Sequence, residues 1–233
     1  TANDHQITYG DLASNNGVSY LGFVYEEDES VLTGSLEYTY TYDTLDVAKR
    51  NVGEYVISVT GLESDNYEIT YVDGTLTVVK KDLTITANDH QITYGDLASN
   101  NGVVYDTVAY EEDTELLNSE LVYSYTYNQE SAETRGVGDY KISVTGITNE
   151  NYIITEYVDG TLTVVKKDIN VEVVDCQTVY GSLAPEFEVR FVSFVYPEDT
   201  FENQMTGELA YTCDYDTLDV AKRNVGEYVI SVT

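Results

Sequence analysis

Tryptophan is absent from this 233-residue sequence, and methionine, proline, cysteine and histidine occur only once or twice each. No apolar run approaches the roughly 18 residues that a membrane-spanning helix needs, so no membrane insertion is expected within this segment. The sequence opens inside a repeated motif and shows no signal peptide. Targeting signals are therefore expected to lie outside it.

Positive charge is also scarce. Lysine and arginine total 11 against 42 aspartates and glutamates, which gives a formal net charge of −31. A surface of this sign repels phosphate backbones and anionic lipid, so partners of those two classes (nucleic acid and membranes) are not expected. The acids are spread through the whole sequence, which indicates a solvated coat that keeps a crowded array soluble.

Tyrosine is abundant, with 23 residues against five phenylalanines, and hydrophobic residues reach 42%. This composition is typical of a folded chain rather than of an acidic disordered tail. Tyrosine is a strong β-former that suits a half-buried sheet face. No window shows a sustained helical stripe of apolar residues, so the composition favours an all-β fold.

Long internal identities divide the chain into three tandem repeats of about 85 residues. Residues 1–18 recur at 86–103, residues 71–82 at 157–168, and residues 42–60 at 215–233. We predict three small domains, spanning residues 1–80, 81–166 and 167–233, called repeats 1, 2 and 3 below. Their joints are short Lys-Lys-Asp sequences without a flexible linker, which predicts stiff coupling in an extended array.

Alternation with period two predicts six or seven short strands per repeat, as in a small β-sandwich of immunoglobulin-like or related type. Examples are Leu36–Tyr42, which places Tyr38, Tyr40 and Tyr42 on one face, and Glu54–Thr60. Asp73-Gly74 predicts a hairpin between Tyr67–Val72 and Thr75–Val79, and Asn16-Gly17 predicts an earlier turn. The tyrosine face is interpreted either as an ordinary sheet surface or as a platform for sugars.

The two ends of the chain interrupt the repeat pattern. Repeat 1 is expected to lack part of its first strand, and repeat 3 the two strands that would follow Thr233. An arbitrary cut, a disordered end, or completion of the sheet by strand addition from a neighbouring chain would each account for this.

Cys176 and Cys213 are the two cysteines, and both lie in repeat 3. Their joint appearance in one copy predicts a disulfide between the first strand and the tyrosine-rich strand. Two free thiols are the alternative.

The acidic loops at Glu26–Glu29 and Glu111–Glu115 make calcium the first metal to consider, but neither has the ligand spacing of a known calcium loop. His5 and His90 occupy the same repeat position, each without a histidine partner, which indicates a structural or surface role. No nucleophile elbow and no phosphate-binding loop is present. We therefore expect neither an enzyme nor a bound cofactor.

Four motifs in a fixed order resemble the MBG-type (mostly β, glycine-rich) repeats of bacterial adhesin-like surface proteins. They are Tyr9-Gly10-Asp11, the acidic Tyr25-Glu26-Glu27-Asp28, Val52-Gly53-Glu54-Tyr55, and Asn66-Tyr67 leading into Asp73-Gly74-Thr75-Leu76. Repeat 3 departs from the pattern with Tyr180-Gly181-Ser182.

The resemblance implies secretion and display on the bacterial cell surface, and it supplies neither a catalytic activity nor a defined ligand. The expected function is a structural stalk or spacer whose partners are neighbouring repeats of the same chain. The alternatives are a multivalent binding module for host glycans or surface proteins, and a self-assembling extracellular fibre.

Overall fold

The computed structural model describes residues 1–192 and 194–233, and it confirms the all-β class. The strands are β1 (His5–Thr8), β2 (Thr33–Tyr40), β3 (Gly53–Glu63), β4 (Gly74–Val79), β5 (Lys81–Ala87), β6 (His90–Thr93), β7 (Val103–Tyr105), β8 (Val122–Tyr125), β9 (Gly138–Thr145), β10 (Tyr152–Val158), β11 (Gly160–Val165), β12 (Asn170–Val173), β13 (Val189–Val192), β14 (Tyr211–Cys213) and β15 (Ile230–Val232). Two helices, α1 (Asp113–Glu120) and α2 (Phe201–Gln204), and two short 3-10 helices, Glu29–Val31 and Val47–Lys49, interrupt the strands. Within the described residues, no helix is long and apolar enough to cross a membrane.

A sheet of order β1-β4-β3-β2 organises repeat 1. β1 and β4 run parallel, with His5 opposite Leu76, while β3 pairs antiparallel with both β4 and β2. Alternate residues of β3 and β4 point into the core, where Ile57, Val59, Leu76 and Val78 are buried. The alternation seen in the sequence therefore becomes one buried face, as the strand period of two requires.

A second, three-stranded sheet of order β10-β5-β7 contains the first strand of repeat 2. β10 runs parallel to β5, and β5 is antiparallel to β7. Leu83, Ile85 and Ala87 of β5 are buried. Because β4 ends at Val79 and β5 begins at Lys81, Lys80 alone separates the last strand of repeat 1 from the first strand of repeat 2.

The predicted hairpin at Asp73-Gly74 is wrong. β4 pairs with β1 and β3, and the segment that precedes it, Tyr67–Val72, forms no strand. In repeat 2 the equivalent segment is β10, whose partner is β5. In repeat 2 the Asp-Gly sequence therefore connects two strands, β10 and β11, that belong to different sheets. Gly74 of repeat 1 does not adopt a positive φ, and it serves the close approach of the Ala2 carbonyl oxygen, 2.6 Å from where a Cβ would lie.

Two other predictions, one of a strand and one of a turn, agree with the structure apart from the end of the strand. The strand predicted over Leu36–Tyr42 ends at Tyr40, and Tyr42 lies beyond it, buried with its ring 5.2 Å from that of Tyr55. The Asn16-Gly17 turn is present: Gly17 has φ +75° and an N–H that donates to the Asn15 side chain at 3.0 Å.

The helix α1 was not predicted. Repeats 1 and 2 have equal length here, but Gly34 of repeat 1, at φ +91°, stands where repeat 2 has Ser119. Glycine disfavours helix and allows the left-handed backbone, so the turn after Asp28 stops after three residues in repeat 1. In repeat 2 the helix continues to Glu120 and buries Leu117.

The chain forms two compact units. One contains Thr1–His90, Asn100–Thr126 and Tyr140–Leu162, and the other contains Gln91–Ser99, Tyr127–Asp139 and Thr163–Thr233. In the second unit β12 pairs antiparallel with β13, and β14 with β15. The three-domain division at residues 80 and 166 remains a prediction from the sequence repeats.

Candidate functional site

The Tyr-Gly-Asp motif of repeat 1 follows strand β1 and is fixed by backbone contacts. The N–H of Tyr9 donates to the carbonyl of Val79 at 2.9 Å, and the Asp11 carboxylate accepts the N–H of Thr8 at 2.9 Å. The buried Tyr42 hydroxyl donates to the Asp11 carbonyl at 2.9 Å. Tyr9 is thereby held outside its own sheet with its ring directed at repeat 2, and only 1% of its surface remains exposed.

Asp113, the first residue of α1, accepts two tyrosine hydroxyls. Tyr9 donates at 3.1 Å and Tyr152 at 2.6 Å, both to Oδ2. The Tyr152 oxygen in turn accepts the N–H of Ala109 at 2.8 Å, and the Tyr9 and Tyr152 rings meet edge to face at 5.4 Å. Burial, followed by the neighbouring Asp113 carboxylate, raises the pKa of both hydroxyls well above the usual range, so both stay protonated donors.

Arg50 makes the second contact between the repeats. Its guanidinium lies 3.6 Å from the ring centroid of Tyr110 and pairs with the Glu112 carboxylate at 2.5 Å. Arg50 is only 5% exposed, while the Glu112 side chain stays largely in water. The hydrogen bond from Arg50 lowers the pKa of Glu112. The planar guanidinium group of arginine suits this position because it can stack on an aromatic ring and pair with a carboxylate at the same time.

Gly10 allows the close approach between the two repeats. Its φ is +95°, and a Cβ there would lie 2.7 Å from Cβ of Ala109, closer than two carbon atoms tolerate. Beside it, the Asn151 side chain accepts the N–H of Val52 at 3.0 Å, and Lys80 donates to the Asn149 carbonyl at 2.9 Å. The joint is therefore a packed interface, and the residue between β4 and β5 takes part in it.

The counterparts of Tyr9, Gly10 and Arg50 contact the next acidic loop within the second compact unit. Tyr94 donates to Asp199 at 3.2 Å, its ring lies 5.4 Å from that of Tyr196, and the Arg135 guanidinium lies 3.7 Å over Tyr196. Arg135 also pairs with Glu198 and thereby lowers the pKa of that carboxyl. A Cβ on Gly95 would collide with Val195.

Two surfaces recur in the three repeats and are named here. The Tyr–Arg edge consists of Tyr9, Gly10 and Arg50 in repeat 1, Tyr94, Gly95 and Arg135 in repeat 2, and Tyr180, Gly181 and Arg223 in repeat 3. The acidic loop consists of Val24–Asp28 in repeat 1, Ala109–Asp113 in repeat 2 and residues 195–199 in repeat 3. In each joint, the Tyr–Arg edge of one repeat binds the acidic loop of the next.

Of the two acidic loops that suggested calcium, the one in repeat 2 is engaged by Tyr9 and Arg50. Its counterpart in repeat 3 is engaged in the same way by Tyr94 and Arg135. Across residues 1–192 and 194–233, no group of three or more histidine, cysteine, aspartate or glutamate side chains is arranged to hold a metal ion. In the two joints these carboxylates accept hydrogen bonds from tyrosine hydroxyls and pair with arginine guanidinium groups, and these contacts hold neighbouring repeats together.

The remaining residues singled out from the sequence lie elsewhere. Cys176 and Cys213 are free thiols in the structure and line one open cleft of repeat 3, and their disulfide stays a prediction. The His5 ring is within hydrogen-bonding distance of the Ser14 hydroxyl at 2.9 Å, and His90 occupies the equivalent position at the start of β6.

Sequence reasoning missed the arginines. Three of the four arginines, Arg50, Arg135 and Arg223, stand at the same repeat position in a chain that is otherwise poor in cations. That recurrence was a signal, but the contact partner lies about 60 residues away in the next repeat, where sequence patterns do not reach.

The fold and the joints define the class of protein: tandem β repeats in which a tyrosine, a glycine and an arginine of one repeat contact the acidic loop of the next. The chain belongs to the MBG domain (YGX type) family, whose model matches residues 1–77 and 83–163. Among curated proteins, no relative matches the chain.

Proposed function

We propose that this chain is a run of spacer repeats in the stalk of an extracellular bacterial surface protein of the adhesin type. The observation that carries the proposal is the repetition of one buried joint, with a tyrosine and an arginine of one repeat seated in the acidic loop of the next. A joint whose tyrosine, glycine and arginine recur in successive repeats supports a regular spacing of the repeats, which is what a spacer requires.

The surface chemistry supports the same role. The net charge of −31 leaves a solvated, self-repelling exterior, and two of the four arginines lie in the joints. The function proposed is therefore mechanical, without catalysis and without a resident cofactor. Membership of the MBG family supports a repeat-containing surface protein, and the extracellular location forms part of the proposal.

Small-angle X-ray scattering tests the spacer role. We expect the wild-type chain to give one narrow distance distribution, because an arginine of each joint is buried against the next repeat. The double variant Arg50→Ala, Arg135→Ala is expected to broaden that distribution. Lys49→Ala is the matched control, since Lys49 pairs with Asp46 of its own repeat at 3.0 Å and lies outside the joint. A wild-type distribution as broad as that of the double variant would contradict the proposal.

A binding module for host glycans or surface proteins is the rival role. A glycan array and a pull-down from host extracellular matrix, both probed with the wild-type chain, distinguish the two. Saturable binding by the repeats themselves would replace the spacer role with the binding role.

A further inference from the structure

Strands β5 and β10 come from opposite ends of repeat 2 and run parallel to each other. β5 is the first strand of the repeat, and Asp159 alone separates β10 from the last strand, β11. The pair extends over six residue positions, from Lys81 opposite Tyr152 to Thr86 opposite Val158. Segments that are far apart in the sequence therefore lie side by side and point in the same direction.

Tension along the chain loads this pair from its two opposite ends. The pull reaches β5 at its N-terminal end, through Lys80, and it leaves β10 at its C-terminal end, through Asp159. Because the strands are parallel, the two pulls act along the strands and tend to slide one strand past the other. All the hydrogen bonds between the strands then share the load, whereas a pull across the strands would break them one after another.

Burial of alternate side chains opposes the sliding of β5. Leu83, Ile85 and Ala87 all lie in the core, with at most 3% of their surface exposed. A slip of one residue, about 3.3 Å, would turn these side chains to the opposite face of the sheet. The strand must therefore lose the whole pairing before it reaches another register that buries the same residues, so the pair resists sliding as one unit.

A bulge in β10 fixes the register at a defined point. The pairing shifts between Ile154 and Glu156, so Thr155 has no partner residue on β5. The Thr155 hydroxyl instead donates to the Leu83 carbonyl at 3.3 Å. Bulges are specific features of a strand pair, and this one adds a side-chain hydrogen bond across the two strands that sliding would have to break.

Two further hydrogen bonds secure the end of β5 at which tension arrives. The N–H of Lys81 donates to the Asn151 carbonyl at 3.0 Å, and the Lys80 ammonium group donates to the Asn149 carbonyl at 2.9 Å. Both acceptors lie directly before β10 in the chain. The loaded end is therefore bound more firmly than the register of the two strands alone provides.

Repeat 1 contains the same arrangement in a shorter form. β1 and β4 are parallel over four residue positions, from His5 opposite Leu76 to Thr8 opposite Val79. Tension reaches β1 at its N-terminal end and leaves β4 at its C-terminal end, directly into Lys80 and β5. Two parallel pairs thus follow each other along the chain with one residue between them.

We propose that the parallel pairs β5–β10 and β1–β4 are load-bearing clamps that keep their repeats folded when the chain is pulled along its length. Resistance to force is a kinetic property, set by the barrier to unfolding. Sliding a whole strand at once gives a higher barrier than opening it pair by pair. The proposal deepens the spacer function and rests on it for the source of the load, since a stalk is pulled along its length when its tip is held.

Single-molecule force spectroscopy with two attachment geometries tests the β5–β10 clamp. Cys176→Ser and Cys213→Ser first remove the two native thiols, which lie in repeat 3. Asp82→Cys then provides one handle in both experiments. The second handle is Val158→Cys, at the far end of the pair, for sliding, or Ile153→Cys, directly opposite position 82, for peeling. The two experiments thus load the same contacts and differ only in the end of β10 that is pulled.

We expect the rupture force of the sliding geometry to be several-fold higher than that of the peeling geometry, because six residue pairs share the load in the first and one pair carries it in the second. Release of the 76 residue steps between positions 82 and 158 lengthens the chain by up to about 270 Å, which identifies the event. A sliding force equal to or below the peeling force would overturn the proposal.

Far-ultraviolet circular dichroism shows whether both handle variants are folded. Asp82 and Ile153 are exposed, and Glu156→Cys, at an exposed position farther along β10, replaces Val158→Cys if the latter unfolds the chain. All these handles lie within repeat 2, so the joints to neighbouring repeats are not between them. Equal forces would remove the clamp and leave the spacer function standing, whereas a broad scattering distribution would contradict the spacer function and leave the clamp.

Discussion

The Tyr9→Phe substitution probes the first joint with the smallest change available. It removes only the hydroxyl that donates to Asp113 at 3.1 Å and leaves the ring, which contacts Tyr110 and Tyr152 edge to face at 5.4 Å. The tyrosine is 1% exposed, so water cannot replace the lost donor. Any loss of stability therefore reports the hydrogen bond across the joint.

The magnitude follows from the partner. A hydrogen bond to a charged group contributes about 1.5–3 kcal/mol. Asp113 keeps the Tyr152 hydroxyl at 2.6 Å and is not left unpaired, so the cost belongs at the lower end, about 1.5 kcal/mol. Tyr180→Phe is the matched control, because the equivalent hydroxyl of repeat 3 is on an exposed side chain and its loss should stay within about 0.5 kcal/mol.

Guanidinium unfolding followed by far-ultraviolet circular dichroism measures this difference on the full chain. Tyr94→Phe repeats the perturbation at the second joint, where the hydroxyl donates to Asp199 at 3.2 Å, and is expected to cost less than Tyr9→Phe because Tyr94 is only half-buried. If Tyr9→Phe were as mild as Tyr180→Phe, the hydrogen bond to Asp113 would not stabilise the joint, and the reasoning would fail.

Three further predictions address packing, protonation and redox state. Gly10→Ala should destabilise the chain more than Gly181→Ala by about 1–3 kcal/mol. Both glycines have positive φ, but only at Gly10 would the added Cβ lie 2.7 Å from a neighbouring Cβ. Equal losses in denaturant unfolding would contradict this prediction. The raised pKa values of Tyr9 and Tyr152 mean that the unfolded chain releases these protons first, so stability should be intact below the ordinary tyrosine pKa of 10.0 and fall as pH rises above it. Absorbance at the tyrosinate band should then show a group of tyrosines ionising only together with unfolding, and smooth ionisation of all 23 in folded protein would refute it. Intact mass of unreduced protein under thiol alkylation should show no modification if Cys176 and Cys213 form the predicted disulfide, and two alkyl groups would end that prediction.

Local patterns were sufficient for elements whose partners lie nearby or whose faces alternate. The strand over Glu54–Thr60 lies within β3, and the Asn16-Gly17 turn forms, because both depend on alternation or on a glycine at positive φ. The Asp73-Gly74 hairpin failed because two neighbouring β segments were assumed to pair. The structure instead leaves Tyr67–Val72 outside any strand, and β4 pairs with β1 and β3.

The joints were predictable only in part. Composition and the absence of a flexible linker indicated stiff coupling, and the structure shows Lys80 as the one residue between β4 and β5. The acidic loop was recognised as a motif, but its role was not, since its partners Tyr9 and Arg50 are 104 and 62 residues away from Asp113 and Glu112.

The sequence by itself determined the repeat length, the all-β class and the acidic, cation-poor surface, because each depends on composition, period or identity along the chain. The tertiary structure decided which strands pair, and it decided that the Tyr-Gly motif of one repeat meets the acidic loop of the next. Burial was the physical reason. Tyr9 and Arg50 are shielded from water only when the two repeats pack against each other. Burial in that interface is what makes their contacts with the next repeat stabilising.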